Sequence, residues 1–170
     1  MAATKNAQEL KQETKSYITT ALLRLLKTNK LYDIKISQVC QTAGVSRMAF
    51  YRNFDNLEQV LASYYQQKIE LAFKNRRDLN FQYQFMTQFG DELIQAAQQG
   101  YEHIVRELFI KQVVALYGED NYQTTFIVAG AYAAWRKWLL ENRQLPLSEL
   151  RQVLRKFHRM TMEDFNTQET

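Results

Sequence analysis

The chain has 170 residues, 46% of them hydrophobic, with one proline, five glycines and a formal net charge of +4. That length supports a real core in one or two small domains, and so few breakers argue for long helices instead of a many-stranded sheet. The longest uncharged apolar run, within Phe126–Trp135, is far too short for a membrane span, and the lone Cys40 excludes an internal disulfide. Residues 1–10 read as a polar, frayed lead-in. Lys5, Glu9 and Lys11 stand there without an apolar segment, so no secretory signal and a cytoplasmic location are expected. A long helix is then predicted from Glu9 or Thr14 to Thr28, with Ile18, Leu22, Leu25 and Leu26 on one side. Leu31, Ile34 and Ile36 carry the chain into its most informative stretch.

Between Ile36 and Phe54 the pattern divides into two short helices around a tight turn. Ser37 is a candidate N-cap, and Val39 and Ala43, four residues apart, share one face of the first helix. Gly44 can take the positive φ that a sharp helix exit needs. Val45 follows as a plug, and Ser46 offers a second N-cap nine residues after the first. Ala49, Phe50 and Phe54 then form an apolar stripe that leaves Arg47, Met48, Tyr51 and Arg52 facing outward. A short helix with such an outer face fits the major groove, where it can read base edges. The segment therefore reads as a helix-turn-helix.

The run AGVSxxxFYxxF, ahead of a newly capped helix at Asp55, resembles the signature of the tetracycline-repressor-like (TetR/AcrR) family of transcriptional regulators. The likeness covers about residues 14–65. It implies an all-α fold: a three-helix DNA-binding domain over residues 1–56, and a helical effector-binding and dimerisation domain over 57–170. It also implies a homodimeric regulator, by expectation a repressor, on a near-palindromic double-stranded operator. Tyr51 matches the family's tyrosine, which implies a phosphate or base-edge contact. Four positions depart from the family pattern. Met48 and Ala49 stand where a small residue and Thr are usual, Asn53 replaces a common Tyr or His, and Leu57 stands where a phosphate-contacting Lys is usual. The last departure motivates a rival reading, a partner protein or co-activator that kept the fold and lost DNA binding.

Charge placement agrees with a nucleic-acid module. Residues 1–60 hold nine Lys/Arg against five Asp/Glu, whereas residues 61–170 hold thirteen of each, so the whole surplus of +4 lies on the first segment. The candidate DNA-binding residues are Lys35, Ser37, Gln38, Ser46, Arg47, Met48, Tyr51 and Arg52. Backbone N–H groups at the two serine-capped helix starts suit a phosphate oxygen. Arg47 can contact guanine O6 and N7 in bidentate fashion, and Met48 can touch a thymine methyl.

A fourth helix is marked by two overlapping capping patterns, Asp55-x-x-Glu58 and Asn56-x-x-Gln59, and runs to about Lys74. The basic run 74–78 reads as a linker. Helices are then predicted over Phe81–Ala97, Ile104–Tyr117, Asn121–Glu141 and from Leu147 onward, with Gly100 and Gly118 at the breaks. The helix from Asn121 is apolar on most sides, which implies cover on more than one face. Ala129, Gly130 and Ala133 permit close helix approach, and with Trp138, Leu150, Leu154 and Phe157 they form the candidate dimer interface. The resemblance places that interface on the last two helices. Phe85, Phe89, Tyr101, Phe109, Tyr122 and Phe126 are candidates to line a pocket for a small apolar or aromatic effector. His103 and His158 belong to no catalytic constellation. No metal-ligand spacing or phosphate-binding glycine loop occurs, so neither an enzyme nor a cofactor is expected.

Overall fold

A computed structural model describes residues 2–74, 79–118 and 121–166, with side-chain surroundings for 7–74, 87, 89–116, 118 and 121–160. Among the described residues all regular structure is helical, as expected. The order is α1 (Ala2–Leu25), a 3-10 turn (Leu31–Asp33), α2 (Ile36–Ala43), α3 (Arg47–Tyr51), α4 (Leu57–Phe73), α5 (Leu79–Gln99), α6 (Glu102–Tyr117), α7 (Tyr122–Leu140) and α8 (Leu147–Asn166). The expected lead-in is helix instead, from Ala2. Residues 2–10 hold no Gly or Pro, and Ala, Lys, Gln and Glu readily extend a helix whose nucleus forms further on. The last segment of the basic run, Asn75–Asp78, lies outside the described residues.

Packing divides the chain into two compact units, Met1–Lys74 with Gln95–Leu108, and Asn75–Ile94 with Phe109–Thr170. All of α4 lies in the first unit.

In the first unit α1 packs on α2 and α4, and α2 packs on α3. Ile18 and Leu22 from α1, Val39 from α2, Phe50 from α3, and Val60 and Leu61 from α4 are all fully excluded from solvent. Burying one such side chain contributes about 1.5–3 kcal/mol, which is what fixes these short helices together. The α5–α6 corner belongs to the same unit. Gly100 turns there with φ +82°, and the buried Tyr101 sends its N–H to Ala96 O at 2.9 Å. The Tyr101 hydroxyl lies 3.4 Å from that of Tyr65 on α4. His103 is exposed, and its Nε2 stands 3.6 Å from Glu58 Oε1 in the first turn of α4.

In the second unit α7 packs on α8. Val128, Tyr132, Trp135, Trp138 and Leu139 point into the core, where Phe109 meets Tyr132 at 5.7 Å between ring centroids. Trp138 donates from Nε1 to Leu145 O at 2.6 Å, so its polar edge is satisfied inside its own unit. The α7–α8 turn contains two consecutive non-glycine residues at positive φ, Asn142 at 55° and Arg143 at 58°. Arg143 is held there by a 2.5 Å bond from its guanidinium to Asp91 on α5, and it also lies 5.9 Å from the centre of the Trp138 ring.

Gly90 on α5 is required by close approach to this turn. A Cβ built on it would stand 2.7 Å from Leu139 Cδ2 and 3.0 Å from an Arg143 guanidinium nitrogen. Leu139 is itself buried and has little room to give. Gly90→Val should therefore destabilise the protein by about 1–3 kcal/mol through overpacking, read as a lower urea midpoint. An unchanged midpoint would show that Leu139 moves freely.

Candidate nucleic-acid interface

The site is built on the α2–turn–α3 segment. α2 ends because Gly44 adopts φ +66°, with its N–H directed to Gln41 O at 3.3 Å and the Val45 N–H directed to Cys40 O at 3.0 Å. These two bonds satisfy carbonyls that the helix leaves free, in the manner of a Schellman motif. No heavy atom lies within 4 Å of a Cβ built on Gly44, so the left-handed conformation alone demands glycine here. Ser46 then caps α3, its Oγ accepting the Ala49 N–H at 3.1 Å.

The start of α2 differs from expectation. Lys35, not Ser37, occupies the N-cap position, and its N–H donates to Gln38 Oε1 at 2.7 Å. Ser37 is the second residue of the helix, exposed, with no capping role. The Gln38 N–H, the donor a cap side chain would take, goes instead to Lys35 O at 3.0 Å. The fourth helix follows the asparagine pattern. Asn56 Oδ1 accepts the Gln59 N–H at 2.8 Å, while Gln59 Oε1 accepts the Asp55 N–H at 2.5 Å. Leu57 is the first residue of α4 and half-buried.

α3 is only five residues long, and its two faces are sharply distinct. Phe50 is fully buried and Phe54, just beyond the helix, is 4% exposed. The two rings lie 6.2 Å apart, and the Lys15 ammonium of α1 sits 5.6 Å from the Phe54 ring centre. On the other face Ser46, Arg47, Met48, Tyr51 and Arg52 are all exposed, Met48 by 65% and Tyr51 by 46%. Lys35, Ser37 and Gln38 are exposed on α2. The Tyr51 ring meets Phe50 edge-on at 5.5 Å with an 85° interplanar angle. Its hydroxyl, one turn along from Arg47, favours the charged form of that guanidinium and raises its pKa above the ordinary value. All eight residues expected to meet DNA are therefore accessible on one unit. The arrangement offers three cations, several hydrogen-bonding groups and one thioether.

Cys40 lies beneath this surface, 5% exposed. Burial pushes its thiol up from the ordinary value, against the nearby positive charge of Arg47. A thiol so held stays protonated and poorly nucleophilic, consistent with a core role.

The residues proposed for a ligand pocket are distributed over both units. Tyr122 is 97% and Phe126 67% exposed, because both lie on the outer face of α7 opposite its core-facing residues. Tyr101 belongs to the first unit with Tyr65, and Phe109 belongs to the second with Tyr132. Phe89 is half-buried, and the Phe85 side chain lies outside the described surroundings. The dimer candidates divide as well. Gly130, Ala133 and Phe157 are exposed, Ala129 and Leu154 are half-buried, and Trp138 and Leu150 are buried within their own chain. The exposed members share the outer surface of α7 and α8 with Tyr122, Phe126, Val153 and Met160. Sequence reasoning had omitted Val153 and Met160 from this set, although their spacing around Phe157 (i−4, i+3) carries the signal.

Among the described residues no group of three or more His, Cys, Asp or Glu could hold a metal ion, and no helix is long and apolar enough to cross a membrane.

No family model matches the sequence, and no curated protein matches it. Among solved structures the chain is similar to the dihydroxyacetone kinase operon activator DhaS, with a TM-score of 0.54 and 18% sequence identity. The match covers 86% of this chain and 97% of that one. A likeness of this kind establishes a shared all-α fold. The class defined by fold and site is thus an all-helical protein that presents a short, capped, solvent-facing helix after a glycine turn.

The cap is the part of the site most open to a clean test. Ser46→Ala should cost about 0.5–2 kcal/mol of stability, measured by denaturant unfolding. A variant as stable as the parent would show that α3 does not depend on its cap.

Proposed function

We propose that this chain is a sequence-specific DNA-binding transcriptional regulator that acts as a homodimer, with α3 as its reading helix. The observation that carries the reading is the two-faced α3: Phe50 locked into the core beneath an exposed surface of Ser46, Arg47, Met48, Tyr51 and Arg52. The resemblance of residues 14–65 to the tetracycline-repressor-like family supports it, as does the concentration of positive charge in residues 1–60. In this reading Lys35, Ser37 and Gln38 meet the DNA backbone, while Arg47 and Met48 meet base edges. Residues 1–56 perform DNA binding and 57–170 perform dimerisation and effector binding, in the cytoplasm. A small apolar or aromatic effector bound within residues 57–170 releases the regulator from its operator. The regulator represses by occupying its operator. Activation is the alternative sign, favoured by the likeness to an operon activator.

The outer face of α7 and α8 supports dimerisation. Phe126, Val153, Phe157 and Met160 are all more than 40% exposed, an apolar surface that a monomer rarely leaves in water. Two subunits joined there are expected to present their reading helices about 34–36 Å apart, one turn of duplex. A second reading, a partner protein without DNA binding, is favoured by one observation: Leu57, at the start of α4, cannot make the phosphate contact of the usual lysine.

A gel shift with DNA upstream of its own coding region, at low and raised salt, separates the two readings. Affinity should fall steeply and linearly on a log–log salt plot; no shift at low salt would favour the partner protein. Arg47→Ala should cost about 1–3 kcal/mol of binding and relax preference at a single G·C pair. A loss equal on all sequences would make Arg47 a phosphate contact.

Ala133→Arg should yield monomers by light scattering, because it sets a bulky charge in the middle of the exposed α7 face. A dimer that survives this change does not use α7.

A further inference from the structure

The buried face of α1 continues beyond the core as a strip of lysine. Ile18, Leu22 and Leu26, at steps of four, are fully excluded from solvent. At 3.6 residues per turn, the same line carried toward the N-terminus meets Lys15 and then Lys11, whereas Glu9 and Glu13 fall about 160° away from them. Residues 7–13 are all exposed, so this part of the helix overhangs the packed core.

Lys15 marks the edge of that overhang. It is half-buried, and its ammonium lies 5.6 Å from the centre of the Phe54 ring. Phe54 closes the α2–α3 segment, its N–H directed to Phe50 O at 2.9 Å and its ring 6.2 Å from the Phe50 ring. Asp55 and Asn56, which follow it into α4, are exposed. A cation is thus held against the end of the segment, while Lys35 stands at its beginning. Lys11 lies one turn further out, about 6 Å along the axis. Like charges four apart weaken a helix, and among the described residues neither ammonium meets a carboxylate.

We propose that Lys15 and Lys11 form a second contact strip for double-stranded DNA, gripping backbone phosphates beside the reading helix, so that α1 takes part in binding as well as in the core. This rests on the DNA-binding reading above. A helix seated in the major groove has sugar–phosphate backbone on both sides, and cations at both ends of the α2–α3 segment match that arrangement. A lysine meets phosphate as a point charge and releases a counterion as it does so. Its contribution is therefore salt-dependent and indifferent to base sequence. The strip also supplies positive charge at the α3–α4 junction, where Leu57 supplies none.

The test titrates the parent, Lys15→Met, Lys15→Arg and Lys11→Met against the upstream duplex and an unrelated duplex of equal length, from low to raised salt. Methionine keeps an apolar stem over Phe54 and removes only the charge, so a melting temperature close to the parent's is expected. Each methionine variant should lower the slope of the log–log salt plot by about 1 and weaken binding to both duplexes by the same factor. Lys15→Arg should keep the parent slope. Lys111→Met removes an equal charge from an exposed position in the second unit and should also keep it. A parental slope in both methionine variants overturns the strip, as does an equal drop in Lys111→Met, which would reduce the effect to net charge. A lower melting temperature for Lys15→Met with an unchanged slope would make Lys15 a cover for Phe54 alone. Lys11 stands on the exposed overhang, so its variant decides the matter even if Lys15→Met fails to fold. A parent that shifts neither duplex at low salt overturns the proposed function and this inference with it, whereas a parent that binds, with variants indistinguishable from it, overturns the inference alone.

Discussion

The burial of Phe50 is the constraint from which the presented surface of α3 follows. A five-residue helix forms barely one and a half turns and has almost no stability of its own. It persists because Phe50 is fully inserted among the side chains of the first unit, with Phe54 close behind. Losing a ring of that kind typically costs about 3–5 kcal/mol, a large share of what holds a domain of this size folded. Once Phe50 is fixed, helical geometry dictates which residues face away: Arg47, Met48 and Tyr51 have no inward alternative. Gly44 and Ser46 set where the helix begins, the first through its backbone and the second through its cap. Core packing and surface presentation are therefore one event.

The same unit includes residues 95–108, far along the chain. Tyr101 stacks near Tyr65, and His103 reaches Glu58 at the beginning of α4. These contacts tie the α5–α6 corner to the helix that directly follows α3. The corner's turn requires Gly100 at φ +82°, and its position is backed by the Tyr32 ring, 3.8 Å from where a Cβ would lie. The α5–α6 corner is thus anchored within the first unit.

The second unit shows a different logic. α7 buries Val128, Tyr132, Trp135, Trp138 and Leu139, yet exposes Tyr122, Phe126 and Ala133 on its opposite side. Its turn into α8 holds two residues in a conformation that costs an L-amino acid about 1–2 kcal/mol each. The Arg143–Asp91 bond and the Trp138 ring compensate, and they do so only because Gly90 lets α5 come close.

Much of this protein was legible in one dimension, and the legible parts are those governed by neighbours in sequence. The scarcity of Pro and Gly determined an all-helical chain. Gly44, the Ser46 cap and the Asn56-x-x-Gln59 pattern marked their turns, because each acts within a few residues of itself. The outward set on α3 followed from periodicity alone. Periodicity failed where it carries no phase: α7 is apolar nearly all round, so sequence could not tell that Trp138 points inward while Tyr122 and Phe126 point out. It failed again at Ser37, because the helix starts from Lys35 and the Gln38 N–H is met by Lys35 O without a capping side chain. The Asn142–Arg143 turn, with no glycine to announce it, depends on Asp91, fifty-two positions upstream of Arg143. Local hydrogen bonding and helical period are encoded residue by residue, whereas the inward face of an all-apolar helix and the conformation of a strained turn are decided by partners that only folding brings together.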